Sequence, residues 1–225
     1  GLFTFNQTDL SIENRLAESN EVSEDGLIYT FKIKKGVFFH DDVCFEGGKG
    51  REMNAYDMKF SFTQLCTQDR NNQGFSLFKG LLKGADAYYA ASSNGTPDFE
   101  VEGIKVVDDY TLELTLIKPS ALFIMNLATP FGFIFPKEAF DKYGLDMRVK
   151  VVGTGPFTLQ SVEDEINVIM KRNPNYHRKD ESGNQLPFLD AIKVTFIPDK
   201  KTELFTFKKG ELDMIYRLPT EHIIE

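Results

Sequence analysis

Gly153-Thr154-Gly155-Pro156-Phe157 is the run on which the reading of this chain turns. Glycine supplies positive φ at low cost, and proline fixes φ and removes an N–H, so two glycines and a proline in four positions make a backbone device. Taken alone the run predicts a turn, with unusual backbone angles at Gly153 and Gly155. Just downstream, 157–161 and 166–170 read as a hairpin turning at Glu163-Asp164, and Ile192, Val194 and Phe196 alternate as a further strand.

Upstream, Leu27, Tyr29, Phe31 and Ile33 share one strand face. Tyr110, Leu112, Leu114 and Leu116 share another, joined to 104–107 through a turn at Asp108-Asp109. The expectation is therefore two separate sheets, one holding Tyr29 and Leu112, the other Phe157, Val168 and Val194.

Helices are fewer. Asn54 is an N-cap with Asp57 three residues on, opening a helix that runs to about Cys66. Residues 137–143 start after Pro136 and stop at Gly144, with proline at the entry and glycine at the exit. Asp199 caps a helix through Lys209, and Gly210 is placed to end it in a left-handed turn before a strand at 212–216. The fold class is α/β, mixed α and β, with mixed sheets and flanking helices.

The chain has 225 residues, 41% of them hydrophobic, which suffices for one large or two modest cores. Phenylalanine is abundant, at 21 residues, and tryptophan is absent; at strand spacing most of these rings are expected in the core. A net charge of −8 argues against nucleic-acid and anionic-membrane partners, which favour basic patches. The most apolar stretch, 121–135, is interrupted by Asn126, Thr129, Pro130 and Gly132 and does not read as a membrane span.

Catalytic signatures are missing. His40, His177 and His222 lie far apart and outside any His-Glu-x-x-His pattern, and no Gly-x-Ser-x-Gly elbow presents a serine. His40-Asp41-Asp42 with Glu46 reads as a solvated acidic turn rather than a metal site. Gly47-Gly48-Lys49-Gly50 lacks the residues of a phosphate loop and reads as surface. Cys44 and Cys66 fit no metal or redox spacing; two free thiols and, in an oxidising compartment, a disulfide are both open. No cofactor is expected.

Several segments, in this order, resemble one family. They include Gly1-Leu2-Phe3-Thr4-Phe5, Leu16-Ala17-Glu18-Ser19, Ser23-Glu24-Asp25-Gly26, the strand and turn of 31–40, and the helix opening Asn54-Ala55-Tyr56-Asp57. The strand pair of 103–115, the 119–136 segment, Gly153 to Phe157, Arg172-Asn173-Pro174-Asn175-Tyr176 and Gly210-Glu211-Leu212-Asp213 complete the set. Together they are similar to the family-five extracellular solute-binding proteins, the peptide and nickel receptors of bacterial ABC importers. Asn54 stands where the family has threonine, and the 43–51 loop is longer than its usual turn.

The resemblance implies a two-lobed clamshell of the periplasmic binding protein class II type and makes this chain a fragment. Residues 1–136 would be the small α+β domain inserted in the first lobe, and 137–225 part of the ligand-binding lobe. An upstream strand would precede Gly1, and the second lobe would lie beyond Glu225. It implies a monomeric receptor, not an enzyme, in the periplasm or anchored outside the membrane as a lipoprotein. Its partners would be a small peptide and a membrane permease. By the same resemblance the Thr129-Pro130-Phe131 loop faces the ligand cleft and Phe75 approaches it. A nickel, haem or oligosaccharide receptor on the same scaffold, or a secreted hydrolase, are the alternatives.

Overall fold

The computed structural model describes residues 1–217. His222 lies outside the described residues. Two short strands, β1 (Phe3–Phe5) and β2 (Ile12–Asn14), form a hairpin, followed by β3 (Ala17–Val22) and β4 (Ile28–Ile33). Helices α1 (Ala55–Leu65) and α2 (Ala85–Ala91) precede the hairpin of β5 (Ile104–Asp108) and β6 (Thr111–Thr115). Then come α3 (Phe123–Leu127), α4 (Lys137–Tyr143), β7 (Phe157–Glu163), β8 (Asn167–Arg172), β9 (Ala191–Thr195) and α5 (Lys200–Lys208).

The alternation around Tyr29 becomes the inner face of a four-stranded sheet, ordered β3-β4-β6-β5. Tyr29 stands opposite Leu114, and Phe31 opposite Leu112. All four side chains are buried, together with Ile33, Phe62 and Phe78. Burying a side chain of this size contributes about 1.5–3 kcal/mol. Phe62 of α1 meets Phe78 edge to face at 5.4 Å, the geometry that the ring quadrupole favours. Ala139 and Val152 belong to the same core, so α4 packs with the first sheet although it follows residue 136.

Local chemistry fixes the helix ends. Asn54 Oδ1 accepts from the Tyr56 N–H while Asp57 Oδ2 accepts from the Asn54 N–H, which closes the capping box reciprocally. Asp199 accepts from the Thr202 N–H at the start of α5. Gly144 and Gly210 both take positive φ, the conformation for which glycine pays no Cβ penalty.

The second sheet, β7-β8-β9, is separate from the first, as the sequence predicts. Every strand pairing among the described residues is antiparallel, where mixed sheets were expected. Residues 212–216 form no strand: alternation alone gives them no partner to pair with. The phenylalanine expectation also fails. Seven of the 21 rings are buried and nine are exposed. Phe196, which follows β9, and Phe205 and Phe207 of α5 are exposed, so their apolar pattern finds no core among the described residues.

Candidate functional site

Two places gather the residues that the sequence singles out. The first is the seam where the 153–157 run meets the first sheet's domain. The His40 N–H donates to the Gly153 carbonyl at 2.8 Å, and His40 Nε2–H donates to the Gly155 carbonyl at 2.9 Å. Asn173 Nδ2 donates to that same Gly155 carbonyl at 3.0 Å, and the Gly153 N–H points at His40 Nδ1 at 3.4 Å. These bonds define the neutral Nε2–H tautomer. Burial holds the imidazole below its ordinary pKa, against the opposing pull of the Gly155 carbonyl and the Asp41 charge. Neither Gly153 nor Gly155 takes positive φ, contrary to expectation. The run works by presenting carbonyls to His40 and Asn173, both buried, rather than by a left-handed turn.

Beside this seam, the acidic turn is tied up within the protein. Asp41 Oδ1 accepts from the Gly50 N–H at 2.8 Å, and Asp42 Oδ1 accepts from the Cys44 N–H at 2.8 Å and the Tyr143 hydroxyl at 2.6 Å. The two cysteines are free thiols and form no disulfide. Cys66 ends α1 inside the core, whereas Cys44 belongs to the turn with Asp42. Burial first pushes both thiols up to about 12, so neither is a thiolate at neutral pH.

Arg51 clamps this region. Its guanidinium bonds Asp57 through both terminal nitrogens, at 2.9 and 2.7 Å, and Glu138 through Nε and one terminal nitrogen, at 2.6 and 2.8 Å. Such planar two-toothed pairs are the arginine geometry that lysine cannot copy. The Asp57 bonds raise the Arg51 pKa, and the Arg51 bond lowers that of Glu138. The start of α1 is thereby joined to the start of α4.

The second place is an open hollow of about 660 Å³ between the end of α1, the loop after it, and the 130–145 segment. Its floor is carbon, from Leu65, Phe131, Phe133, Phe135 and Phe140, while Gln64, Asp69, Asn71 and Gln73 stand on its polar rim. Asn72 builds it. Its Nδ2 donates to the carbonyls of Gln64, Leu65 and Thr67, satisfying groups that a helix end leaves open, and its Oδ1 accepts from the Gly74 N–H. Gly74 then lets the floor close, because a Cβ there would lie 2.5 Å from Leu65 Cδ2 and 3.2 Å from Phe131 Cδ1.

Of the residues expected near a ligand, Phe131 lines the hollow. Phe75 adjoins Gly74 but stacks on Tyr89 at 3.8 Å with planes 10° apart. The Thr129 hydroxyl donates to the Asn126 carbonyl at the end of α3. Asn72, Gly74 and Phe133 were not singled out from the sequence. An Asn-x-Gly step after a helix is the only local trace they leave.

The family described as bacterial extracellular solute-binding proteins, family 5 Middle, matches residues 11–225. The chain belongs to that family. The glutathione-binding protein GsiB of Salmonella choleraesuis (strain SC-B67) is 29% identical over 221 residues, covering 98% of this chain and 36% of the relative. The dipeptide-binding protein of Escherichia coli (strain K12) is 32% identical over 205 residues, 89% of this chain and 35% of the relative. Among solved structures, the periplasmic binding protein DppA from Helicobacter pylori in complex with peptide STSA superposes with a TM-score of 0.73 at 28% identity. That match covers 94% of this chain and 39% of DppA. The chain thus spans little more than a third of the length of the relatives it matches.

Proposed function

We propose that this chain forms part of the extracytoplasmic solute receptor of an ABC importer, and that its solute is a short peptide. The observation that carries this reading is the family match across residues 11–225, together with relatives described as binding glutathione, dipeptides and the peptide STSA. The receptor captures solute outside the cytoplasm, by way of a periplasmic or lipid-anchored protein, and hands it to a membrane permease as a monomer. Residues 1–136, continued by α4, form the inserted domain of the first lobe; 153–217 belong to the ligand-binding lobe, with Gly153 and Gly155 at the passage between them. Phe131 faces the ligand side, with Phe75 and Thr129 shaping the loops around it. Binding follows from enclosure: a cleft that excludes water strengthens each backbone hydrogen bond to an extended peptide.

A domain exchange tests the reading. Residues 11–217 replace the matching segment of the E. coli dipeptide-binding protein in a strain lacking its own copy. Growth on a dipeptide as the sole source of a required amino acid is expected. A chimera that is folded and exported yet gives no growth contradicts it.

A further inference from the structure

We infer that a second hollow, between the turn after β4 and the segment after β8, is a seat for a small oxyanion, held by Lys34 and Lys35 against a wall formed by His177. It shares no lining residue with the hollow around Phe131. Glu18 of β3, Lys34, Lys35, Gly36 and Val37 of the turn, and His177 surround about 550 Å³, which takes an oxyanion together with its waters. The charge there runs against that of the whole chain, which is −8. Both lysines line the hollow, and Arg15 stands close enough to His177 to act on its charge, as Lys34 does. Among the described residues, no hydrogen bond or ion pair engages the side chains of Lys34 and Arg15. Lys35 lies over the Tyr110 ring at 5.0 Å. Glu18 is the one carboxylate on the lining, and it pairs with neither lysine. Cations gathered in a concave wall without counter-charges concentrate anions.

His177 supplies an independent observation. Its Nε2 is buried and has no hydrogen-bond partner among the described residues. Native folds rarely leave such an atom alone, and a water or an ion is the usual partner. Burial first, then the charges of Lys34, Arg15 and the Gly1 amine, hold the imidazole down to about 4, so the ring is neutral at pH 7. An anion beside it reverses the sign of the surrounding charge and favours the imidazolium. Occupancy and protonation therefore reinforce each other, as linkage requires.

Both walls are fixed in advance. The Lys34 N–H donates to the Leu16 carbonyl at 2.9 Å, the Gly36 N–H donates to Glu52 Oε1 at 2.5 Å, and Tyr176, next to His177, is buried. Walls already in place lose less freedom on binding. The turn belongs to the first sheet's side and His177 to the second's, so an anion between them also braces one against the other.

Inorganic phosphate is the probe, titrated at pH 7 into the 225-residue chain with chloride at matched ionic strength as the reference, so that screening is common to both. The imidazole resonances of His177 and the backbone amides of Lys34, Lys35 and Gly36 should move together and saturate, and the His177 pKa should rise with phosphate bound. Acetate forms a second arm: a response to both anions assigns the seat to oxyanions at large, a response to phosphate alone to tetrahedral ones, and either supports the inference. Lys34→Met should weaken phosphate by about fivefold, and Lys34→Arg, which keeps the charge, should largely retain it. Glu18→Gln, at an exposed position, should tighten binding by about twofold or more. That gain cannot come from a misfolded chain. Shifts that chloride matches, or that Lys34→Met leaves unchanged, mean an adventitious ion only and overturn the inference. Movement confined to His40 or to amides elsewhere overturns it as well. None of these results touches the uptake experiment.

Discussion

His40 Nε2–H donates to the Gly155 carbonyl at 2.9 Å across 115 positions of chain, so a buried imidazole ties the segment after the first sheet's β4 to the entrance of the second sheet. The Gly153 N–H contact to Nδ1 requires the neutral ring, because a proton on Nδ1 would oppose another donor, whereas the Nε2–H bond persists in either state.

That geometry sets a pH dependence. His40 titrates in the folded protein below its ordinary value, and His177 is pushed down to about 4 by burial and by the charges of Lys34 and Arg15. Above about pH 6.5 both rings are neutral whether folded or not. As pH falls below that, the unfolded chain takes up protons first, so stability declines until the folded pKa values are reached. Each such ring steepens the decline by at most about 1.4 kcal/mol per pH unit. Urea midpoints between pH 7.5 and 5 should fall less steeply for His40→Gln, which keeps a donor without the titration. Parallel profiles would show that His40 carries no part of the effect.

Arg51→Met should destabilise the fold. It strips the counterion from Asp57, whose side chain is 3% exposed, and leaves only the Asn54 N–H bond. Breaking a fully buried pair costs about 3–5 kcal/mol. Arg51 itself is over a third exposed, which lowers the expected loss to about 2 kcal/mol. Glu138→Gln, at a half-open pair, should cost at most about 1 kcal/mol. Chemical denaturation ranks the two, and equal losses would contradict the clamp described.

Glycine substitutions separate two uses of the residue. At Gly155 no atom lies within 4 Å of an added Cβ and φ is not positive, so Gly155→Ala should be neutral or stabilise slightly through the unfolded chain. At Gly50 the same Cβ would lie 2.0 Å from the Phe39 carbonyl oxygen. Backbone there cannot yield cheaply, and Gly50→Ala should cost at least about 3 kcal/mol. Thermal melts of the two variants decide it; a large loss at Gly155 would restore a conformational role for that residue.

Asn72→Ala should leave the carbonyls at the end of α1 without their side-chain donor and free the 71–74 loop. About 1–3 kcal/mol of stability should go with it, and amide exchange should quicken at Gly74. Unchanged exchange would mean that the loop is held by its ring contacts instead.

Elements governed by local chemistry were legible in the sequence. The caps at Asn54 and Asp199 and the exits at Gly144 and Gly210 depend on groups within a few residues, and each stands where its residues predict. Residues 212–216 were misread because period-two alternation does not specify a partner strand. Gly155 was misread because a glycine does not by itself dictate positive φ: an added Cβ there meets nothing within 4 Å, and what holds the segment is its carbonyl, bonded by His40 far away in sequence. The hollow was legible only through Phe131: its walls come from 64–74 and 130–145, and Asn72 acquires its meaning from helix carbonyls that exist only once α1 has folded.

The central claim, a receptor lobe that needs a second wall to hold its peptide, is tested most directly by titration calorimetry with a mixture of short peptides. Association must overcome at least roughly 4 kcal/mol of lost rigid-body freedom, and hydrogen bonds in open water return about 1 kcal/mol each. The 225-residue chain alone should therefore bind no tighter than about millimolar, and the chimera with the E. coli dipeptide-binding protein should reach about micromolar. Micromolar binding by the chain alone, or none by a folded chimera, would contradict the account.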